Sequence, residues 1–288
     1  MDLADLLKEC DMTIAELARC SGLPYSTVSE AVNGRKSIGR CSAETVYRIA
    51  SALNTTVENM LAAERSYSFP DKYSLSNEES IFLAKRFWDD NVYSGMRMEN
   101  RNVTFPETRT ILDGINVPGV TLDDIIAIRN MRDAWKYVFS SLDERLDLAY
   151  ICRLNSFIAR DEALSWGCLR TGSIGVSGTD YKPAVPAQAE TEAAIRKIVS
   201  SYLPVTERAL DLFAYITYHQ LFWNGNKRTA MTAANRLLVR GGGGILTVRD
   251  SDMGEFNVHL RNMYDTGDSM PLKHFLYDKA IKGIDFPA

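Results

Sequence analysis

The run Phe222-Trp223-Asn224-Gly225-Asn226-Lys227-Arg228-Thr229-Ala230 holds the residue types that an anion site needs. Gly225 lets the backbone approach a ligand closely. A helix beginning just after it offers unpaired N–H groups and the positive end of its dipole. Lys227 and Arg228 add charge, and an arginine can grip a phosphate through two parallel hydrogen bonds. The same run also reads as an ordinary helix start with solvated basic residues. His219 and Gln220, an imidazole and an amide, stand immediately upstream.

The elements that must position this run are mostly helical. Apolar residues at helical spacing predict helices near 77–90, 122–139, 143–160, 188–200, 206–220 and 228–240, with two closing helices near 251–263 and 271–281. Segment 168–183 has another pattern. Arg170, Thr171, Ser173, Ile174, Gly175 and Val176 alternate ahead of a turn at Ser177-Gly178-Thr179, which predicts a β-hairpin. Gly241 to Gly244 break the chain before a short β-rich run, Ile245 to Val248.

In register, Phe222, Gly225, Asn226 and Arg228 match the signature HxFx[DE]GNxRxxR, and the chain over about 77–285 resembles the Fic/Doc family. The resemblance implies a mainly α domain with a small β-hairpin flap. Ser173, Ile174, Gly175 and Val176 would lie in the flap that holds a target segment. It also implies a transferase that moves AMP, or in Doc-like members phosphate, from ATP to a protein hydroxyl with Mg²⁺. Asn224, Gly225, Asn226, Lys227 and Arg228 would hold the nucleotide phosphates, and Asn224 would stand at the metal. Glu99-Asn100 resembles the end of the family's autoinhibitory pattern, which makes Glu99 a candidate to pair with Arg228; an ordinary exposed turn is the other reading.

Three positions depart from the signature. Gln220 stands at the histidine, Asn224 at the acid and Met231 at the second arginine. A glutamine amide takes up no proton near neutral pH, so Gln220 is no general base. Asn224 offers a metal an oxygen without charge. His219 is one residue early, which on a regular helix turns its side chain by about 100°. His219 serves catalysis only if the helix end is re-registered.

Residues 2–63 read as a run of short helices. Thr13 and Glu16 form a capping box. Gly22 ends one helix and Pro24 starts the next. The spacing of Leu17-Ala18, Gly22, Ser26 to Ser29 and Asn33-Gly34-Arg35 resembles the Cro/repressor-type helix-turn-helix family. The resemblance implies that Tyr25, Ser26, Ser29 and Glu30 face bases and that Arg35 and Lys36 lie near phosphates. Residues 1–62 carry six basic and eight acidic side chains, so the basic footprint is local, at 35–40. A helical protein-docking domain is the alternative. A homodimer on two half-sites is the expected arrangement.

The expected organisation is a helix-turn-helix domain over 1–63, a polar linker over 64–76 and a Fic-like domain over 77–288. Five cysteines without a CxxC pair argue against a disulfide framework or zinc site and for a cytoplasmic setting. No signal peptide or membrane span is expected. A net charge of -4 excludes a chain that binds nucleic acid along its whole length. Two functions stay open. One is a DNA-binding regulator whose degenerate Fic-like domain binds a nucleotide or other phosphate ligand. The other is an active transferase of AMP or phosphate, toxin-like and autoregulated, with a protein target. Gel retardation on genomic fragments checks the DNA reading. Arg35→Ala with Lys36→Ala weakens binding to every sequence, whereas changes at Ser26 or Ser29 alter sequence preference. Failure of both a 1–66 fragment and the full chain to retard any fragment contradicts it.

Overall fold

The computed structural model describes residues 3, 6, 7, 10, 12–32, 38–64, 68–163, 165–201 and 203–284. The chain is mainly helical and divides into two compact units, Met1–Ser68 and Phe69–Ala288.

In the first unit, α1 (Ile14–Ser21) and α2 (Tyr25–Val32) are joined by a turn at Gly22, whose φ of 65° only a glycine adopts without strain. Thr13 and Glu16 make the expected capping box at α1. Two further helices, α3 (Ala43–Ala52) and α4 (Val57–Glu64), complete the bundle. Leu17, Val28 and Ile49 are fully buried between them.

The second unit is built around one helix. Helices α5 (Asn77–Arg86), α6 (Trp88–Met98), α7 (Phe105–Leu112), α8 (Leu122–Ser140), α9 (Leu148–Ile158), α10 (Gln188–Val199) and α11 (Val205–His219) precede it. The central helix, α12 (Asn226–Gly241), buries every residue from Arg228 to Val239. A helix buried on all sides must satisfy its polar side chains inside the protein. Asn235 does so by donating to Leu246 O at 2.8 Å and accepting from Leu246 N at 2.7 Å. That exchange fixes β1 (Ile245–Leu246), which pairs antiparallel with β2 (Ile281–Lys282) in the register Leu246↔Ile281. Between the strands lie α13 (Met253–Thr266) and α14 (Met270–Phe275).

Two expectations need correction. The flap segment 168–183 contains no strand; it runs extended to the anticipated turn at 177–179. Residues 69–76, read as linker, belong to the second unit. Phe69 is fully buried beside His274 and Tyr277, and Asp71 caps α11 by accepting from Thr206 N at 2.7 Å. The polarity that suggested a linker includes Asp71, which serves as this cap. Among the described residues no helix is long and apolar enough to cross a membrane.

The four-glycine run at the end of α12 is a crossing point. Leu75 N donates to Gly242 O at 2.9 Å, and a Cβ on Gly242 would stand 2.3 Å from Leu75 O. At Gly244 a Cβ would meet Lys282 O at 2.3 Å. Both residues have positive φ. Gly242→Ala should therefore cost about 2–4 kcal/mol through strain and overpacking. That corresponds to a fall of roughly 4–16 °C in the melting of a unit this size. Gly254→Ala, in α13 where a Cβ meets nothing within 4 Å, should be neutral or slightly stabilising. Calorimetric melts of both variants check the contrast.

Candidate functional site

Helix α11 ends because Gln220 turns left-handed, at φ 47° and ψ 63°. The loop that follows is laced by its own side chains. Asn226 Oδ1 accepts from Phe222 N at 2.8 Å, and Asn226 Nδ2 donates back to Phe222 O at 2.8 Å. Asn155, on α9, donates to Asn224 O at 3.0 Å and to Thr229 Oγ1 at 3.2 Å. Gly225 has φ 72°, and a Cβ there would lie 3.1 Å from Ile158 Cγ2. The loop thus sits tight on the end of α9. It delivers α12 with no side-chain cap on its first turn.

The two residues considered for proton transfer part company. Gln220 lines a 480 Å³ cleft together with Lys227, Tyr264 and the flap residues 175–179. Its amide is committed. Nε2 donates to Thr217 O at 2.7 Å and to the Tyr264 hydroxyl at 2.8 Å, and Oε1 accepts from Asn226 at 3.0 Å. Burial pushes the Tyr264 phenol above its usual range, so it stays protonated. His219 lines a different depression, where its ring lies 4.4 Å from that of Tyr215 and 5.3 Å from that of Tyr218. Desolvation there holds its imidazole below the ordinary histidine value.

The cations of the loop already have partners. Arg228 is buried, and Glu162 accepts from its Nη1 at 2.9 Å and from its Nη2 at 3.0 Å. Arg101 also donates to Glu162 and pairs with Asp124 at 2.9 Å. Lys227 donates to Met98 O, at the C-terminal end of α6. Glu99 follows as the C-cap of α6, 3.4 Å from Lys227 Nζ and 3.7 Å from Arg228 Nε. Burial alone would raise the Glu99 carboxyl; Lys227, Arg228 and Arg101 together hold it below the ordinary glutamate value. Arg228, expected to present its guanidinium to a phosphate, is thus turned inward onto Glu162.

Asn224 does not fit a metal as placed. Its Oδ1 accepts from Gly225 N at 2.6 Å and its Nδ2 donates to Glu162 O at 3.0 Å. Among the described residues no cluster of three His, Cys, Asp or Glu could hold a metal ion.

The flap is organised by Arg170, named in the sequence only as part of the hairpin. Its buried guanidinium donates to Gln220 O at 2.6 Å, Gly172 O at 2.6 Å and Ala184 O at 2.6 Å. Both arms of the flap and the end of α11 converge on this one side chain. Ser173, Ile174, Gly175 and Val176 lie in the arm that leads to the cleft. Sequence reasoning missed Asn155, Glu162 and Tyr264 altogether. Arg160-Asp161-Glu162 reads as a helix tail, and nothing in its spacing points to Arg228.

In the first unit, Tyr25, Ser26 and Glu30 are exposed on α2 and Ser29 is half-buried, while Val28 and Ala31 face the core. Arg35 and Lys36 lie outside the described residues.

Two measurements probe the charge cluster. Glu162→Ala leaves Arg228 buried without its partner and should cost about 3–5 kcal/mol, read as a lower melting temperature. Glu99 carries a pH signature. Because its folded carboxyl is depressed, its contribution is complete above the unfolded value, about 4.3, and is lost as pH falls through the lower folded value. The stability gap between wild type and Glu99→Gln should be full at neutral pH and close in acid. A gap that stays constant across that range contradicts the assignment.

Two parts of the chain match known families. Residues 2–65 match the Cro/C1-type HTH DNA-binding domain, and residues 145–238 match the Fic/DOC family. A protein adenylyltransferase Fic of Nematostella vectensis is 25% identical over 212 residues, which cover 70% of this chain and 49% of that protein. The chain thus spans about half the length of this relative. A fragment of Fic-1 from C. elegans superposes with a TM-score of 0.60 at 15% identity, over 95% of this chain and 94% of the fragment. A Fic domain containing signaling protein from Bacteroides thetaiotaomicron gives 0.58 at 18% identity, over 71% of this chain and 86% of its own. These two likenesses concern the fold alone. The chain joins an N-terminal Cro/C1-type helix-turn-helix domain to a domain of the Fic/DOC family.

Proposed function

We propose that this protein is a DNA-binding regulator whose Fic domain binds a nucleotide or other phosphate ligand and has little or no transferase activity. One observation carries the reading. At the signature's histidine position stands Gln220, and its amide is spent on Thr217, Tyr264 and Asn226. Transfer to a hydroxyl needs a base within hydrogen-bond reach of the attacking oxygen. Asn224, engaged at both ends of its amide, offers a metal no charged oxygen.

What supports binding is the loop itself. Gly225, Asn226 and the uncapped first turn of α12 keep the form of an anion cradle. Glu99 covers Lys227, so an incoming phosphate group competes with this carboxylate for the ammonium. A phosphate that displaces Glu99 exchanges one anion for another, which makes Glu99 an autoinhibitory contact in this reading. On the first unit, the exposure of Tyr25, Ser26 and Glu30 on α2 supports a reading in which this helix enters a major groove.

Incubation with α-labelled and γ-labelled ATP in cell lysate tests the enzymatic side. Wild type should label proteins weakly or not at all. The double change Gln220→His with Asn224→Asp restores the base and the acid and should raise labelling by at least the 10²–10⁴-fold that general-base assistance typically supplies. Strong labelling by wild type that vanishes in His219→Ala would mean an active transferase with the loop re-registered by one residue.

A further inference from the structure

We propose that Arg261 is a ligand-binding residue of the cleft and that its guanidinium takes a phosphate group of the nucleotide; this rests on the nucleotide-binding reading above. The charged side chains lining the cleft are Glu99, Lys227 and Arg261. The first two face each other at 3.4 Å. Arg228 is withdrawn onto Glu162. The position of the signature's second arginine is Met231, which is fully buried and packs towards Gly95. None of the loop's own cations is presented unpaired to a ligand.

Arg261 is in the opposite state. It is exposed on α13, and among the described residues no carboxylate or carbonyl pairs with it. Its natural helical partner, one turn on, is Asp265. That carboxylate is taken instead by the flap, accepting from Thr179 Oγ1 at 2.5 Å. The same flap turn supports the guanidinium. A Cβ on Gly178 would lie 3.4 Å from Arg261 Nη2 and 3.9 Å from both Cζ and Nε. Nη2 is thus the guanidinium atom nearest the turn. Arg261 lines the cleft, and no hydrogen bond or ion pair among the described residues takes its N–H donors. Gly178, at φ 81°, brings no side chain between them.

The ligand chemistry follows from this arrangement. With Glu99 balancing Lys227, Arg261 gives the cleft a net positive charge. A planar fork of N–H donors matches two oxygens of one phosphate. Arg261 thus places on α13 the free cation that the signature carries on α12.

Calorimetry on the full chain tests the assignment, with ATP and inorganic pyrophosphate as probes. Arg261→Gln should weaken both by at least tenfold, the loss expected for one charge-assisted contact. Arg261→Lys should recover part of the loss, since it keeps the charge without the fork. Melting temperatures without ligand should match wild type, because the side chain is exposed and unpaired. Equal ATP affinity in wild type and Arg261→Gln overturns the inference and leaves the nucleotide reading standing. So does a loss confined to ATP, which would place Arg261 at the nucleoside. A wild type that binds neither probe overturns the nucleotide reading, and this inference with it.

Discussion

The signature loop is anchored by one contact, the buried guanidinium of Arg228 held by both oxygens of Glu162. A charge this deep is tolerated only when paired and hydrogen-bonded. The pair ties the first turn of α12 to the segment leaving α9, and Asn224 joins the same segment through Glu162 O. Arg101 and Asp124 extend the cluster on one side, Glu99 and Lys227 on the other. Three cations face three carboxylates, so the formal charges cancel. The loop is therefore fixed in shape before any ligand arrives, and its electrostatic demand is met internally.

The rest of the second unit is arranged around the same helix. From Arg228 onward α12 is surrounded, and its polar side chains act as fasteners. Thr229 holds α9 through Asn155, Arg236 holds the segment after α8 through Leu142 O, and Asn235 holds β1. The flap has its own fastener in Arg170. Cleft, flap and loop thus meet at Gln220, whose carbonyl accepts from Arg170 while its side chain reaches Tyr264.

What was legible in the sequence was local. Helical periodicity and the capping box at Thr13 and Glu16 involve residues three or four apart, and both appear as expected. The signature loop is also local, and the match to the Fic/DOC family could be read from it. Long-range partners could not. Glu162 and Arg228 are 66 residues apart. The hairpin expectation failed for a physical reason. The guanidinium of Arg170 takes carbonyls of Gly172 and Ala184, on the two arms, so those groups are not available to a strand ladder. The linker expectation failed because polarity marks both a solvated chain and a set of caps, and Asp71 is a cap.

The residues with which the loop matches its family signature share a property. Phe222 fills the core, Gly225 clears Ile158, Asn226 laces the loop and Arg228 is locked to Glu162. Each is held by the folding of this chain, with no call on a substrate. In the reading proposed above, the histidine, the acid and the second arginine are the ones replaced, by Gln220, Asn224 and Met231. A pattern match at this loop accordingly measures inherited shape. Chemistry can drift away beneath such a shape while the fold persists.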